Sequence, residues 1–120
     1  MQDFKNLKVW RKSHQLTLDV YRITTDFPSR ERYGLAQQLR SSALSVTSNI
    51  AEGSARCGDG DFRRFLYMGL ASACELECQL LIGRDLGLLT PTVYSSVNDV
   101  GEEVRKMLWS LIRRLDRSLS

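Results

Sequence analysis

The stretch TPTVYSSVNDVGEEVRKMLWSLIRRLDRSLS, residues 90–120, decides the fold. Thr90 offers a side-chain oxygen to the first free backbone N–H groups of a helix, and Pro91 follows at the first-turn position, where its missing N–H costs nothing. Beyond that start, Val93, Val97, Val100, Val104, Leu108, Leu111 and Leu115 recur by fours and threes. At 3.6 residues per turn this spacing lays one aliphatic stripe along a single helical face, with Gly101 as its weak point. A long helix with one greasy side must bury that side against other elements.

Upstream, the same period recurs. Phe62, Leu66, Gly69, Ala73, Leu76, Leu80 and Gly83 define a third helix from about Asp61 to Leu86, and its glycines and alanine call for close contact with a neighbour. GSARCGDGD, residues 53–61, is the clearest interruption: Gly53 is expected to end the preceding helix, and Asp59 or Asp61 to cap the next. Leu35, Leu39, Ala43, Val46 and Ile50 form the inner line of a second helix expected from near Arg30 to Glu52 or slightly beyond, after Pro28 and a Ser29 cap. Small serines at 41, 42, 45 and 48 let another helix approach it. Val9, Leu16, Val20, Ile23 and Phe27 stripe a first helix from about Leu7 to Thr25, widened by Trp10, His14, Leu18 and Tyr21. Four periodic elements joined by connectors of moderate length predict an all-α, antiparallel up-down-up-down four-helix bundle. The broad apolar sectors of the first and fourth helices point further, to surface buried against other copies in a homo-oligomer.

Length and composition agree. A chain of 120 residues suits one domain, 1–120, and 42% hydrophobic with 26% charged residues supplies both a core and a wetted exterior. The apolar patches are broken by polar groups before the ~18 residues of a membrane span, and MQDFKNLKVWRK lacks the apolar core of a signal peptide. A cytoplasmic protein with no membrane partner is expected. Cys57, Cys74 and Cys78 are an odd set without disulfide-scaffold spacing, and two thiols on one side of a helix are too few for a closed metal site. No metal and no cofactor are predicted.

The reactive residues form no catalytic set. His14 is the sole histidine and has no companion, and Cys57 sits in a loop without an activating base. GDGD at 58–61 lacks the lysine and hydroxyl of a P-loop and the ligand series of an EF-hand. Glu75 and Glu77 flank Leu76 and so point to different sides: Glu75 is expected to reach Arg40 or Asn49, and Glu77 to be solvated. Gln38, Asn49, Glu52 and Glu75 are read as structural polar residues, and the chain as no enzyme. The 17 basic residues exceed the 14 acidic ones modestly, giving net +3. They cluster, however. Lys5, Lys8, Arg11 and Lys12 share the start of the first helix; Arg56, Arg63 and Arg64 surround the central connector; Arg105, Lys106, Arg113, Arg114 and Arg117 lie toward the C-terminus. These are the candidate nucleic-acid-binding residues, which would act through backbone phosphates.

FKNLKVW at 4–10, FPSRERYGLAQQLR at 27–40, SNIAEGSAR at 48–56 and DFRRFLYMGLASACELE at 61–77 occur in an order that resembles the bacterial four-helix bundle family of proteins encoded in 23S rRNA intervening sequences. The resemblance extends over nearly the whole chain. It implies a ring-like homopentamer, and similarity to the accessory proteins of diversity-generating retroelements implies a basic surface that engages nucleic acid and a partner protein. Arg40, Ser41 and Ser42 stand where the family pattern has paired arginines followed by alanine, so one cation of that surface is absent here.

Overall fold

In a computed structural model that describes residues 2–120, the chain forms four helices: α1 (Lys8–Thr25), α2 (Leu35–Ser54), α3 (Asp59–Asp85) and α4 (Pro91–Leu119). Short 3-10 turns at Phe4–Asn6 and Ser29–Glu31 precede α1 and α2. The helices pack in order around the bundle, α1 against α2, α2 against α3, α3 against α4 and α4 back against α1. The start of α1, the end of α2, the start of α3 and the end of α4 therefore meet at one end of a body measuring 47 × 20 × 20 Å.

The start of α4 follows from its sequence, since Thr90 Oγ1 accepts a hydrogen bond from the Val93 N–H at 3.2 Å. Its buried line is Val97, Gly101, Val104, Leu108 and Ile112, while Val100, Leu111 and Leu115 are half-buried and Val93 is exposed. The centre of the face thus lies beside the predicted stripe, because a straight helix drifts away from a strict seven-residue repeat. Gly101 is buried but not tightly packed: a Cβ there would meet only the Glu77 side chain, at 4.0 Å. On α3 the predicted line is buried throughout, from Phe62 to Gly83.

α1 and the end of α3 fall within a residue of expectation, while the start of α2 and the α2–α3 connector differ. α2 begins at Leu35 rather than Arg30, because Ser29 opens a separate 3-10 turn and Glu31 Oε1 takes the Leu35 N–H at 3.3 Å. Gly53 does not end α2; it is helical, and its missing side chain admits Phe62 and Phe65 of α3. Neither Asp59 nor Asp61 caps α3. Gly58 takes that position, and both carboxylates lie in the first turn, where they complement the positive helix end. Among the described residues, Gly87 alone has a left-handed backbone, φ 76°, where the chain turns into α4.

Leu16, Leu39, Ile50, Leu66, Leu76, Leu80, Leu108 and Ile112 form the fully buried centre. Ser13, Thr17 and Thr24 are buried beside them on α1, positions that an apolar pattern cannot flag. Each satisfies its hydroxyl on the backbone one turn back: Ser13 on Trp10, Thr17 on Ser13 and Thr24 on Val20. α3 is long and apolar enough to cross a membrane by length and composition, unlike the short apolar patches expected, although a third of that stretch is buried within the bundle. Glu75 and Glu77 interrupt it.

Candidate interaction surfaces

Polar side chains at the seams are used between helices. Between α1 and α2, Thr17 Oγ1 reaches the Ala43 carbonyl at 3.2 Å, and Arg40 Nε donates to Thr24 Oγ1 at 2.8 Å while its guanidinium covers the Tyr21 ring. Between α2 and α3, Ser42 donates to Glu75 at 3.0 Å, and the Ser45 and Ser72 hydroxyls meet at 2.7 Å. Glu75 therefore binds Ser42, and accepts from Gln79, rather than reaching Arg40 or Asn49. Asn49 instead turns back to the Ser45 carbonyl at 2.8 Å.

Glu77 is half-buried and paired across the α3–α4 seam rather than freely solvated. Both of its oxygens accept from Arg105 Nε, at 3.0 and 3.1 Å, which ties α3 to α4. This hydrogen bond and the carboxylate charge raise the Arg105 pKa above its ordinary value. Glu52 is exposed and pairs with Arg56 at 3.6 Å; Gln38 is exposed with no side-chain hydrogen bond among the described residues.

The structure divides the candidate cations. Arg63 pairs with Asp116, Arg64 with Asp61, Arg56 with Glu52, Arg105 with Glu77 and Lys12 with Glu103. Lys5, Lys8, Arg11, Lys106, Arg113, Arg114 and Arg117 have no carboxylate partner among the described residues. Lys5 lies in the 3-10 turn before α1, not on the helix, and its carbonyl accepts from Arg11. Lys8 and Arg114 line one hollow on the α1–α4 seam, with Lys8, Arg11 and Lys12 along the next. Arg113 lies over the Trp109 ring instead. The chain topology gathers most of these residues toward the end where α1 starts and α4 finishes.

Two apolar surfaces are left outside the core. The first is a shallow groove of about 480 Å³ along the α1–α2 seam, bounded by Phe4, Trp10, Leu18, Tyr21, Leu44 and Ala51. Its upper wall is an aromatic stack, with Phe4 edge-on to Trp10 and His14 parallel to it at 4.9 Å. His14 is thus part of an apolar wall, without a catalytic companion in the groove. The second surface is the outward side of α3, where Tyr67, Met68, Ala71, Cys74, Cys78, Leu81 and Ile82 are all exposed. Tyr67, Ala71, Cys74, Cys78 and Leu81 recur by fours and threes, a second stripe that was legible in the sequence but masked by the inner one. Cys57 is exposed in the loop before α3.

Residues 5–110 match the model of the family described as 23S rRNA-intervening sequence protein. The chain belongs to this family. Among solved structures it is similar to a protein of unknown function from the S23 ribosomal protein family of Bacteroides thetaiotaomicron, with a TM-score of 0.79 and 25% identity over 87% of this chain and 97% of that one. No protein of curated function matches. In this family member the polar seam residues are committed to helix–helix contacts, and no cluster of metal-ligating side chains occurs among the described residues.

Proposed function

We propose that this protein is a cytoplasmic scaffold or adaptor, acting as one domain that self-associates into a ring-like homo-oligomer, a homopentamer by its family resemblance. The observation that carries the reading is the apolar outer side of α3. Seven exposed, uncharged residues from Tyr67 to Ile82 keep water on a helix whose inner line is already satisfied. Such a face is removed from water most simply by helix-to-helix association. Sedimentation velocity of the purified chain tests it: one discrete species near five times the 13.7 kDa chain mass is expected, and a monomer at tens of micromolar would overturn the proposal.

A second reading, binding to RNA, is favoured by the unpaired cations. Lys8, Arg11 and Arg114 on the α1–α4 seam, with Lys5, Arg113 and Arg117 near the same end, would contact phosphates without reading bases, and an oligomer would repeat the patch. Titration of labelled RNA should then show affinity that falls steeply with salt, and joint replacement of Arg113, Arg114 and Arg117 by alanine should weaken binding across many sequences. Salt-insensitive binding, or no loss in the triple variant, would remove this reading while leaving the scaffold in place.

A further inference from the structure

Where α1 finishes and α2 begins, a cavity of about 300 Å³ is lined by Thr24, Thr25, Pro28, Ser29, Arg32 and Arg40. It lies at the opposite end of the 47 Å body from the start of α1 and the finish of α4, and its wall is mainly polar. We propose that this cavity binds a phosphoryl group, as free phosphate or as a small phosphomonoester, with Arg32 and Arg40 as its charged donors.

Two guanidinium groups converge on this one small space. Arg32 and Arg40 also share the lining of an adjoining hollow with Tyr33 and Gln37, so the two side chains lie beside each other. Like charges held together raise the energy of the folded chain unless an anion offsets them. No carboxylate lines either hollow. The acids of the same connector are Asp26 and Glu31; Glu31 is turned to the Leu35 N–H, and neither pairs with an arginine among the described residues. Arg40 is already fixed in place. Its Nε donates to Thr24 Oγ1 at 2.8 Å, and its guanidinium lies over the Tyr21 ring at 4.9 Å. Thr24 is 3% exposed and is itself anchored by donating to the Val20 carbonyl at 2.7 Å. These contacts use only the Nε–H, and the terminal nitrogens of Arg40 make no hydrogen bond among the described residues.

The shape of the donor set selects the ligand. A planar carboxylate is satisfied by the edge of a single guanidinium. Here one guanidinium arrives from Arg32, just past the 3-10 turn, the other from Arg40 in α2, and the Ser29 hydroxyl comes from the connector. Donors arriving from separate elements suit a tetrahedral group that spreads its charge over three oxygens. Phe27 and Pro28 add an apolar wall against which the organic part of an ester can rest, and the volume is at the lower end for small-molecule sites. Because Arg40 is held before the ligand arrives, little of its ordering is left to be done on binding.

Isothermal titration calorimetry of the full chain tests this, at physiological salt so that general surface charge is screened, with inorganic phosphate and separately with glycerol 3-phosphate. One saturable site per chain is expected. Tighter binding of the ester assigns the site to a phosphomonoester, and binding of inorganic phosphate at least as tight assigns it to the free anion. Arg32→Gln should weaken the affinity about tenfold, the effect of losing one charged hydrogen-bonding partner. Arg32 is exposed, so this change leaves the core intact; Arg40→Gln, with helix content checked by circular dichroism, should weaken binding to a similar degree. Arg30→Gln removes an exposed cation of the same turn that does not line the cavity, and should leave the affinity nearly unchanged. Absence of saturable heat from both probes in the millimolar range, an Arg32→Gln variant with undiminished affinity, or equal losses in the Arg30 and Arg32 variants would each overturn the site. Nitrogen NMR of the arginine Nε–H groups gives an independent reading: either probe should move the Arg32 and Arg40 signals and spare that of Arg30, and signals that stay in place refute the assignment.

Discussion

Replacing Gly53 with alanine would place a methyl carbon 2.8 Å from Phe65 Cβ, 3.0 Å from the Phe62 ring and 3.3 Å from the Phe62 carbonyl. Phe65 Cβ is fixed to the α3 backbone, so no rotamer change can move it aside; the helices themselves must separate. Overpacking of this kind costs about 2–3 kcal/mol, against about 1 kcal/mol gained by removing glycine from a helix interior, for a net loss of about 1–2 kcal/mol. In a chain of this size that lowers the melting temperature by about 4–8 °C. Gly101→Ala is the matched control. It is also helical and buried, but its new methyl meets only Glu77 Cγ at 4.0 Å, so the backbone gain should survive and raise stability by about 0.5–1 kcal/mol. Thermal unfolding by circular dichroism at one fixed protein concentration reads both, which keeps any contribution from assembly constant. Equal shifts in the two variants, or a stabilised Gly53→Ala, would refute the argument that close α2–α3 approach selects glycine at 53.

Thr90→Ala removes the side-chain oxygen that holds the Val93 N–H and should cost about 1 kcal/mol in urea unfolding, with restoration by Thr90→Ser. Thr17→Val keeps the shape of a buried residue but deletes the hydroxyl that reaches Ala43; a loss of about 1–2 kcal/mol is expected, and a neutral result would show that the Thr17 contact across α1–α2 carries no net stability. Glu77→Gln weakens the contact with Arg105; partial exposure limits the loss to about 1 kcal/mol, which should shrink in a background already carrying Arg105→Ala if the two act as a pair.

How far the sequence reaches can be followed helix by helix. The inner line of α3 and the start of α4 were legible because periodicity and capping are local properties of a few consecutive residues. The start of α2 was not: Ser29 has the chemistry of a cap, but Pro28 and a 3-10 turn use it up before Gly34 lets the helix begin. Gly53 and Gly58 could not be told apart as loop or helix by residue type, since each glycine is permissive and only the neighbouring phenylalanines make Gly53 a packing site. The basic residues were found, yet which of them remain unpaired depended on Asp61, Glu77, Glu103 and Asp116 arriving from other turns and other helices.

By itself the sequence determined that four amphipathic helices must share a core and gave the chemistry of each face, because burial of a stripe is a property of spacing along one chain. Only the tertiary structure decided which polar groups meet and which apolar residues stay in water. Arg40 turns to Thr24, Glu77 to Arg105, and Tyr67 to Ile82 are left outward while an equally apolar line on the same helix is buried. The physical reason is that a helix of mixed composition has several possible inner faces, and the choice among them belongs to the helices it packs against.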